Sequence, residues 1–270
     1  MQPEPLQSDP VPTRKYVADG IVLLTSGGPM AACVANALAA HFGSIIVLEE
    51  DPEPKWHIVR RRARRLGWVT ALGQAGCAAL LELAARRTQA RVEAIAAAHG
   101  LITRLSPSIE RRRIGSVNSK ACRDVLRALQ PRVVAVYGTR IIRRETLKAV
   151  AAPFINCHAG INPKYRGQHP GYWALVNGDA QNAGVTIHLV DEGVDTGAVL
   201  YQSRVSFAPE DNILTYQWVQ MAHALPLLAR AVEDALSNGL RTQHVRLPSR
   251  QWFPPTLWAY AWNGLTRGVW

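Results

Sequence analysis

The stretch FINCHAGINPKYRG, residues 154–167, carries an Asn and a His two positions apart at the end of a short apolar run, then breaks into a loop of Gly and Pro. Side chains at i and i+2 of a strand share a face. Asn156 and His158 therefore project together where the chain leaves a sheet. Open α/β sheets hold their ligands at that edge, outside the carboxyl ends of the strands. On spacing alone, the pair serves equally well as strand-end polar groups that satisfy loop hydrogen bonds. Cys157 falls between them on the opposite face and reads as a small core residue, not a nucleophile.

The sequence on either side supports a sheet. Residues 20–25 (GIVLLT) and 44–48 (SIIVL) read as buried parallel strands, joined by the turn SGGP and an Ala-rich helix over 30–42. Strand, glycine turn, helix, strand is the opening of a doubly wound fold. Further strands are expected within 99–109 and at 132–136, 184–190 and 198–205, with 111–113 as a basic loop. Ser119 is placed to cap a helix running to residue 129. A short helix is expected at 146–150 and one or two helices over 211–236. The expected class is α/β: a mostly parallel doubly wound sheet with a helical basic insertion and a C-terminal helical and aromatic extension. Residues 1–17 read as a disordered arm, 18–208 as the catalytic domain with its insertion at about 53–100, and 209–270 as the extension.

The second strand ends in Glu49, Glu50 and Asp51, which invites a dinucleotide site. That fingerprint needs G-x-G-x-x-G. Here Gly27 and Gly28 are followed by Pro29, Met30 and Ala31, so the pattern fails and a tight turn into a helix remains.

Composition narrows the partners. The chain has 270 residues, with 31 Lys and Arg against 20 Asp and Glu, a net charge of +11. Such an excess suits an anionic partner: a phosphate-bearing substrate, nucleic acid or anionic lipid. Cys33, Cys77, Cys122 and Cys157 lie far apart, with neither zinc-ligand nor redox spacing, and read as reduced cytosolic thiols. The first residues carry acids and prolines and no apolar core, unlike a signal peptide.

Residues 55–65 read KWHIVRRRARR, and residues 66–81 then carry no charge. That run is shorter than the ~20 residues that span a bilayer. A buried helical hairpin with solvated arginine faces is expected; an arginine-flanked segment lying in a membrane interface is the alternative. Gly67, Gly73 and Gly76 argue against one regular helix. The tail 246–270 holds Trp252, Phe253, Trp258, Tyr260, Trp262 and Trp270 with arginines and no acid. It suits packing on its own domain or on a second copy in a homodimer, or, with residues 55–91, peripheral contact with an anionic membrane.

Residues 155–197, INCHAGINPKYRGQHPGYWALVNGDAQNAGVTIHLVDEGVDTG, resemble the formyltransferases that use 10-formyltetrahydrofolate. The shared pattern is Asn-x-His, Pro-x-Tyr-Arg-Gly, an aromatic helix, Gly-Asp, Gly-Val-Thr and Val-Asp-x-Gly, all in order. The resemblance covers about residues 20–206 and implies the Rossmann-like formyltransferase fold. It implies Asn156, His158 and Asp195 as the catalytic trio. It places folate between Tyr137, Gly138, Thr139, Arg140 and Ile141 on one side and Val190, Asp191 and Gly193 on the other. It places the amine substrate near Gly27 and Gly28, with Tyr165, Arg166 and Gly167 as a loop that closes over the site. No metal is needed. An amide donor suits a developing oxyanion. A histidine suits proton transfer, and a carboxylate suits holding that proton. Many relatives have Ser at the position of Gly160, which weakens the transfer of substrate specificity.

The implied function is formyl transfer in the cytoplasm to a primary amine. The acceptor is read as a small molecule or nucleotide-sugar, because residues 208–270 look like helix and tail and not like the short strands of a tRNA-binding barrel. The alternatives are a 10-formyltetrahydrofolate hydrolase, a methionyl-tRNA-type enzyme, and a non-enzymatic nucleic-acid or membrane-binding module, of which nucleic acid is the less favoured partner. His169 is a structural loop residue or a substrate contact, and His188 reads as the satisfied partner of a neighbour.

Overall fold

The computed structural model describes residues 20–270; the arm expected at 1–17 lies outside the described residues. In chain order the elements are β1 (Ile21–Thr25), α1 (Pro29–Phe42), β2 (Ile46–Glu50), α2 (Lys55–Leu66), α3 (Trp68–Ala98), β3 (Glu110–Ile114), α4 (Lys120–Leu129), β4 (Val133–Tyr137) and α5 (Arg144–Leu147). Then follow β5 (Phe154–His158), β6 (Arg166–Gly167), α6 (Pro170–Val176), β7 (Gly184–Leu189), β8 (Val199–Arg204), α7 (Tyr216–Leu236), β9 (Gln251–Trp252) and α8 (Leu257–Arg267). Among the described residues, seven strands form one sheet in the order β3-β2-β1-β4-β5-β7-β8. β1 through β5 are parallel; β7 and β8 add antiparallel beyond β5. This is the mostly parallel doubly wound class that the alternation of strands and helices predicts.

Every residue of β1 is buried. Ile21 and Leu23 face a core built with α1 and α7; Val22 and Leu24 face a second core built with α4. A strand covered on both faces needs an unbroken apolar run, which IVLLT supplies. Pro29 starts α1, where its missing N–H costs nothing, and Ser119 caps α4 by accepting the Cys122 N–H at 3.0 Å.

Three expectations need correction. The third strand lies at Glu110–Ile114, not within 99–109, and the triple arginine sits in it, not in a loop. β3 is the sheet edge, and its charges are met across the register: Arg111 with Glu49 at 3.4 Å and Arg113 with Asp51 at 2.8 Å. Charged side chains on an edge strand also deter edge-to-edge pairing. β2 begins two residues later than expected, which brings Glu49 and Glu50 into the strand.

The glycines of the insertion behave differently from one another. Gly67 separates α2 from α3 at φ 86°, but α3 runs through Gly73 and Gly76 unbroken. They are small because α8 lies on them: a Cβ on Gly73 would sit 2.2 Å from the Trp258 ring, and one on Gly76 would touch Leu257. The insertion is not a fully buried hairpin: Trp68, Val69, Leu72 and Leu80 of the apolar run are exposed, and Ala71, Gly73, Gln74, Cys77 and Leu81 are buried.

Candidate active site

β5 places the trio. Phe154 points into the α4 core, and Asn156 and His158 continue that face past the end of the helical cover. Cys157 points the other way, into the α1–α7 core, where burial pushes its thiol up to about 12. β5 pairs with β4 on one side, Val136 opposite Asn156, and with β7 on the other, Asn156 opposite His188. The loops leaving β4 and β7 therefore flank Asn156.

Asp195 comes from the loop after β7, held at φ 51°. The loop is tied by Asp191, whose carboxylate accepts the Gly193 N–H at 3.0 Å and the Thr196 hydroxyl at 2.6 Å. Its tightness needs Gly197, where a Cβ would strike the Leu189 carbonyl. Asp195 Oδ2 lies 3.5 Å from His158 Nδ1 and accepts the Gly167 N–H at 2.9 Å; Oδ1 lies 3.4 Å from Asn156 Nδ2 and 3.6 Å from His188 Nε2. Burial works against the ionised form of Asp195. The facing His158, the neighbouring His188 and the Gly167 N–H outweigh it and hold the carboxyl well below the usual carboxylate range.

Both ring nitrogens of His158 face acceptors: Nε2 donates to the Tyr165 carbonyl at 2.8 Å, and Nδ1 faces Asp195. His188 Nδ1 donates to the Leu189 carbonyl at 2.7 Å, and its Nε2 lies 3.1 Å from Asn156 Nδ2. The site is thus a quartet. Sequence reasoning reads His188 as the satisfied partner of a neighbour; that the neighbour is Asn156 depends on the antiparallel register of β7 on β5.

The loop 165–167 contributes through its backbone. The Tyr165 ring is buried, its hydroxyl bonds Asp179 at 2.8 Å, and its carbonyl holds His158. Arg166 donates to the Val194 carbonyl at 2.7 Å, and Gly167 holds Asp195. β6 is pinned by β9, with Trp252 stacked on Tyr165 and Trp173. Gly160 admits no side chain: a Cβ would lie 2.3 Å from the Tyr165 carbonyl and 2.7 Å from His158 Nε2.

The other predicted residues are spread along the strand ends. Gly27 and Gly28 form the turn after β1, where Ser26 bonds the Gly138 carbonyl. Nothing crowds Gly28, whereas a Cβ on Gly27 would meet the Glu49 carboxylate. Tyr137 directs its hydroxyl to Met30 Sδ at 3.3 Å, and Thr139 bonds the Arg140 carbonyl. The Arg140 side chain turns to buried Glu50, 3.3 Å away, and to the Asp51 carbonyl. Glu50 also accepts the Arg140 and Val117 N–H groups, so it fastens the loops after β3 and β4 to the end of β2 and is not a ribose ligand. Ile141 is exposed, and Val190 donates to the Phe154 carbonyl at 2.8 Å. His169 opens α6, its Nδ1 buried without a partner; burial, then the charge of Arg62, lowers it to about 4.

A cavity of about 480 Å³ lies elsewhere, lined by Phe207, Asp211, Tyr216 and Val269 among others, and holds none of the quartet. Its Asp211 is taken by Arg91 at 2.8 Å.

The formyl transferase family model matches residues 81–224, from α3 through the quartet into α7. The chain belongs to the formyl transferase family. It is 36% identical over 153 residues to a methionyl-tRNA formyltransferase of Burkholderia pseudomallei, which covers 56% of this chain and 45% of that protein. The chain spans less than half the length of such curated relatives. Its fold is similar to a sugar N-formyltransferase from Shewanella sp., with TM-score 0.52, 18% identity, and coverage of 86% of this chain and 75% of that one. It is also similar to the N-formyltransferase from Helicobacter canadensis solved in complex with folinic acid and dTDP-3-aminofucose, with TM-score 0.51, 12% identity, and coverage of 86% and 70%.

Proposed function

We propose that this member of the family transfers a formyl group from 10-formyltetrahydrofolate to the primary amine of a small-molecule or nucleotide-sugar acceptor in the cytoplasm. The observation that carries the reading is Asp195 bridging Asn156 and His158 at the open end of β5. The folate supplies an activated formyl carbon as the second substrate. This reading sets it between the loops after β4 and β7, on either side of Asn156. At Gly138, φ 66°, a Cβ would find only Ser26 Oγ at 3.9 Å, so a flat ring can approach the main chain there. That fits a pterin read through backbone groups of Tyr137–Ile141 and Val190–Gly193.

In this reading the amine nitrogen attacks the formyl carbon, and the carbonyl electron pair moves onto oxygen. Asn156 turns an amide N–H from His188 or Asp195 toward that oxygen; one such donor is worth about 10²–10³ in rate. As the bond from the formyl carbon to the folate nitrogen breaks, that nitrogen takes a proton from His158, and the amine's proton replaces it. Asp195 keeps the ring oriented and balances its charge. The products are the N-formylated acceptor and tetrahydrofolate. His188 orients Asn156.

Arg62 bonds Gln168 at 2.8 Å and Arg65 bonds Gln251 at 3.1 Å, beside the β6–β9 pair that closes on Asp195. Arg166 and Arg250 lie in and beside the same strand pair, and this concentration of arginines supports an acceptor carrying phosphate or diphosphate. The curated relatives favour a second reading, in which the acceptor is a charged initiator tRNA.

The test is turnover of 10-formyltetrahydrofolate to tetrahydrofolate with amino-sugar nucleotides, glycinamide ribonucleotide, amino acids and methionyl-tRNA as separate acceptors. Amine-dependent turnover with one class names it. Turnover that needs no amine makes the protein a hydrolase. Absence of turnover and of folate binding overturns the proposal.

A further inference from the structure

Among the described residues, the insertion and the tail together leave one face without protein cover. Val69, Leu72 and Leu83 lie on one side of α3 and are 74%, 57% and 79% exposed. Trp258, Trp262 and Leu265 lie on one side of α8. The two sides adjoin, because α8 rests on α3 at Gly73 and Gly76. At the near end Trp68 meets Trp56 of α2, ring centroids 5.9 Å apart, and both are exposed. Soluble proteins rarely leave a contiguous apolar patch of this kind uncovered.

The surround of the patch is basic. Arg60 and Arg64 follow Trp56 at four-residue steps, and Arg86 and Arg87 follow Leu83 by three and four. All four are exposed and have no ion pair among the described residues. The tail from Arg246 onward adds arginines and no acid.

α3 is long and apolar enough to cross a bilayer by length and composition alone. It is not free to do so. Ala71, Gln74, Cys77 and Leu81 are buried on its other side, Gln74 donates to the Pro254 carbonyl at 3.0 Å, and Arg91 is tied to Asp211. The helix lies on the domain and shows a single apolar side outward.

We propose that this α3–α8 face, with the arginines at its two ends, seats the protein on an anionic lipid bilayer. The apolar and Trp side chains enter the headgroup–acyl boundary, and the arginines meet lipid phosphates. Charge selects this occupant over a second copy. A two-fold interface brings a patch against itself, and here that would set like-charged arginines against one another. An anionic bilayer complements both parts of the surface at once.

The test is flotation of the full chain with phosphatidylglycerol-containing vesicles and with phosphatidylcholine vesicles, at low and high salt. The expected result is flotation with the anionic vesicles, weakened by salt, and none with phosphatidylcholine. Replacing Leu72, Leu83 and Trp262 together by Asp should lower partition at least about tenfold without shifting the melting temperature, since all three are exposed. Blue-shifted, lipid-quenched tryptophan fluorescence in the parent protein gives a second readout. No flotation at low salt overturns the proposal, as does undiminished flotation of the triple variant. A concentration-dependent dimer that the same variant returns to monomer would assign the face to a second copy instead. None of these outcomes depends on formyl-transfer turnover.

Discussion

In the proposed mechanism the chemistry rests on Asn156 and Asp195. Asn156→Ala removes the amide donor, so turnover should fall about 10²–10³-fold; single-turnover kinetics check this. Unchanged turnover in Asp195→Ala would remove that residue from the mechanism. Asp195 also makes a pH statement. Its folded carboxyl is depressed, so its stabilising contribution is full above the unfolded value of about 4 and is lost as pH falls through the folded value. The melting-temperature gap between parent and Asp195→Asn should hold steady from neutral pH to about pH 5 and narrow only in stronger acid. Gly160 explains a departure from the family pattern. Restoring the Ser of many relatives puts a Cβ against the Tyr165 carbonyl and His158, so Gly160→Ser should lower both melting temperature and kcat. The residue types of the trio were legible in residues 156–195 because a strand's period and a family pattern are local. The partner of His188 was not, since nothing local says which residue of β7 lies beside Asn156.

At the scale of elements, the C-terminal segment serves the site. β9 pairs with β6, and Trp252 is stacked between Tyr165, Trp173 and Arg250. The loop that holds His158 and Asp195 is thereby fastened from a strand some eighty residues downstream. Trp252→Ala should cost about 1–3 kcal/mol of stability and lower kcat more than it raises KM, because it frees the loop without touching substrate; denaturant melts and steady-state kinetics measure both. The edge strand β3 shows why a charge run misleads. ERRRI reads as a solvated loop until Glu49 and Asp51 of the neighbouring strand end are seen to receive it. The long α3 shows the same for glycine: helix propensity disfavours Gly73 and Gly76 by about 1 kcal/mol each, and the docking of α8 overrides it.

Across the whole molecule, arginines lie in two places. Arg62 and Arg65 bond Gln168 and Gln251 beside the strand pair that holds Asp195, and other arginines lie at the ends of the exposed apolar face of α3 and α8. Arg62→Gln should raise KM for a phosphate-bearing acceptor and leave kcat nearly unchanged, and the parent's KM should rise with salt; initial-rate measurements with the acceptor found in the panel decide this. A neutral acceptor would show neither effect. The sequence by itself determined the doubly wound class, the buried parallel strands, the Ser119 cap of α4 and the family pattern that carries the proposed trio, because strand periodicity, capping and a dense motif act over a few residues. Tertiary structure alone decided the sheet order that brings His188 to Asn156, the pairing that makes arginines a strand, and the docking that leaves α3 half uncovered. Each of those depends on which distant segment becomes a neighbour, and a contact between distant segments is a property of the packed chain, not of any stretch within it.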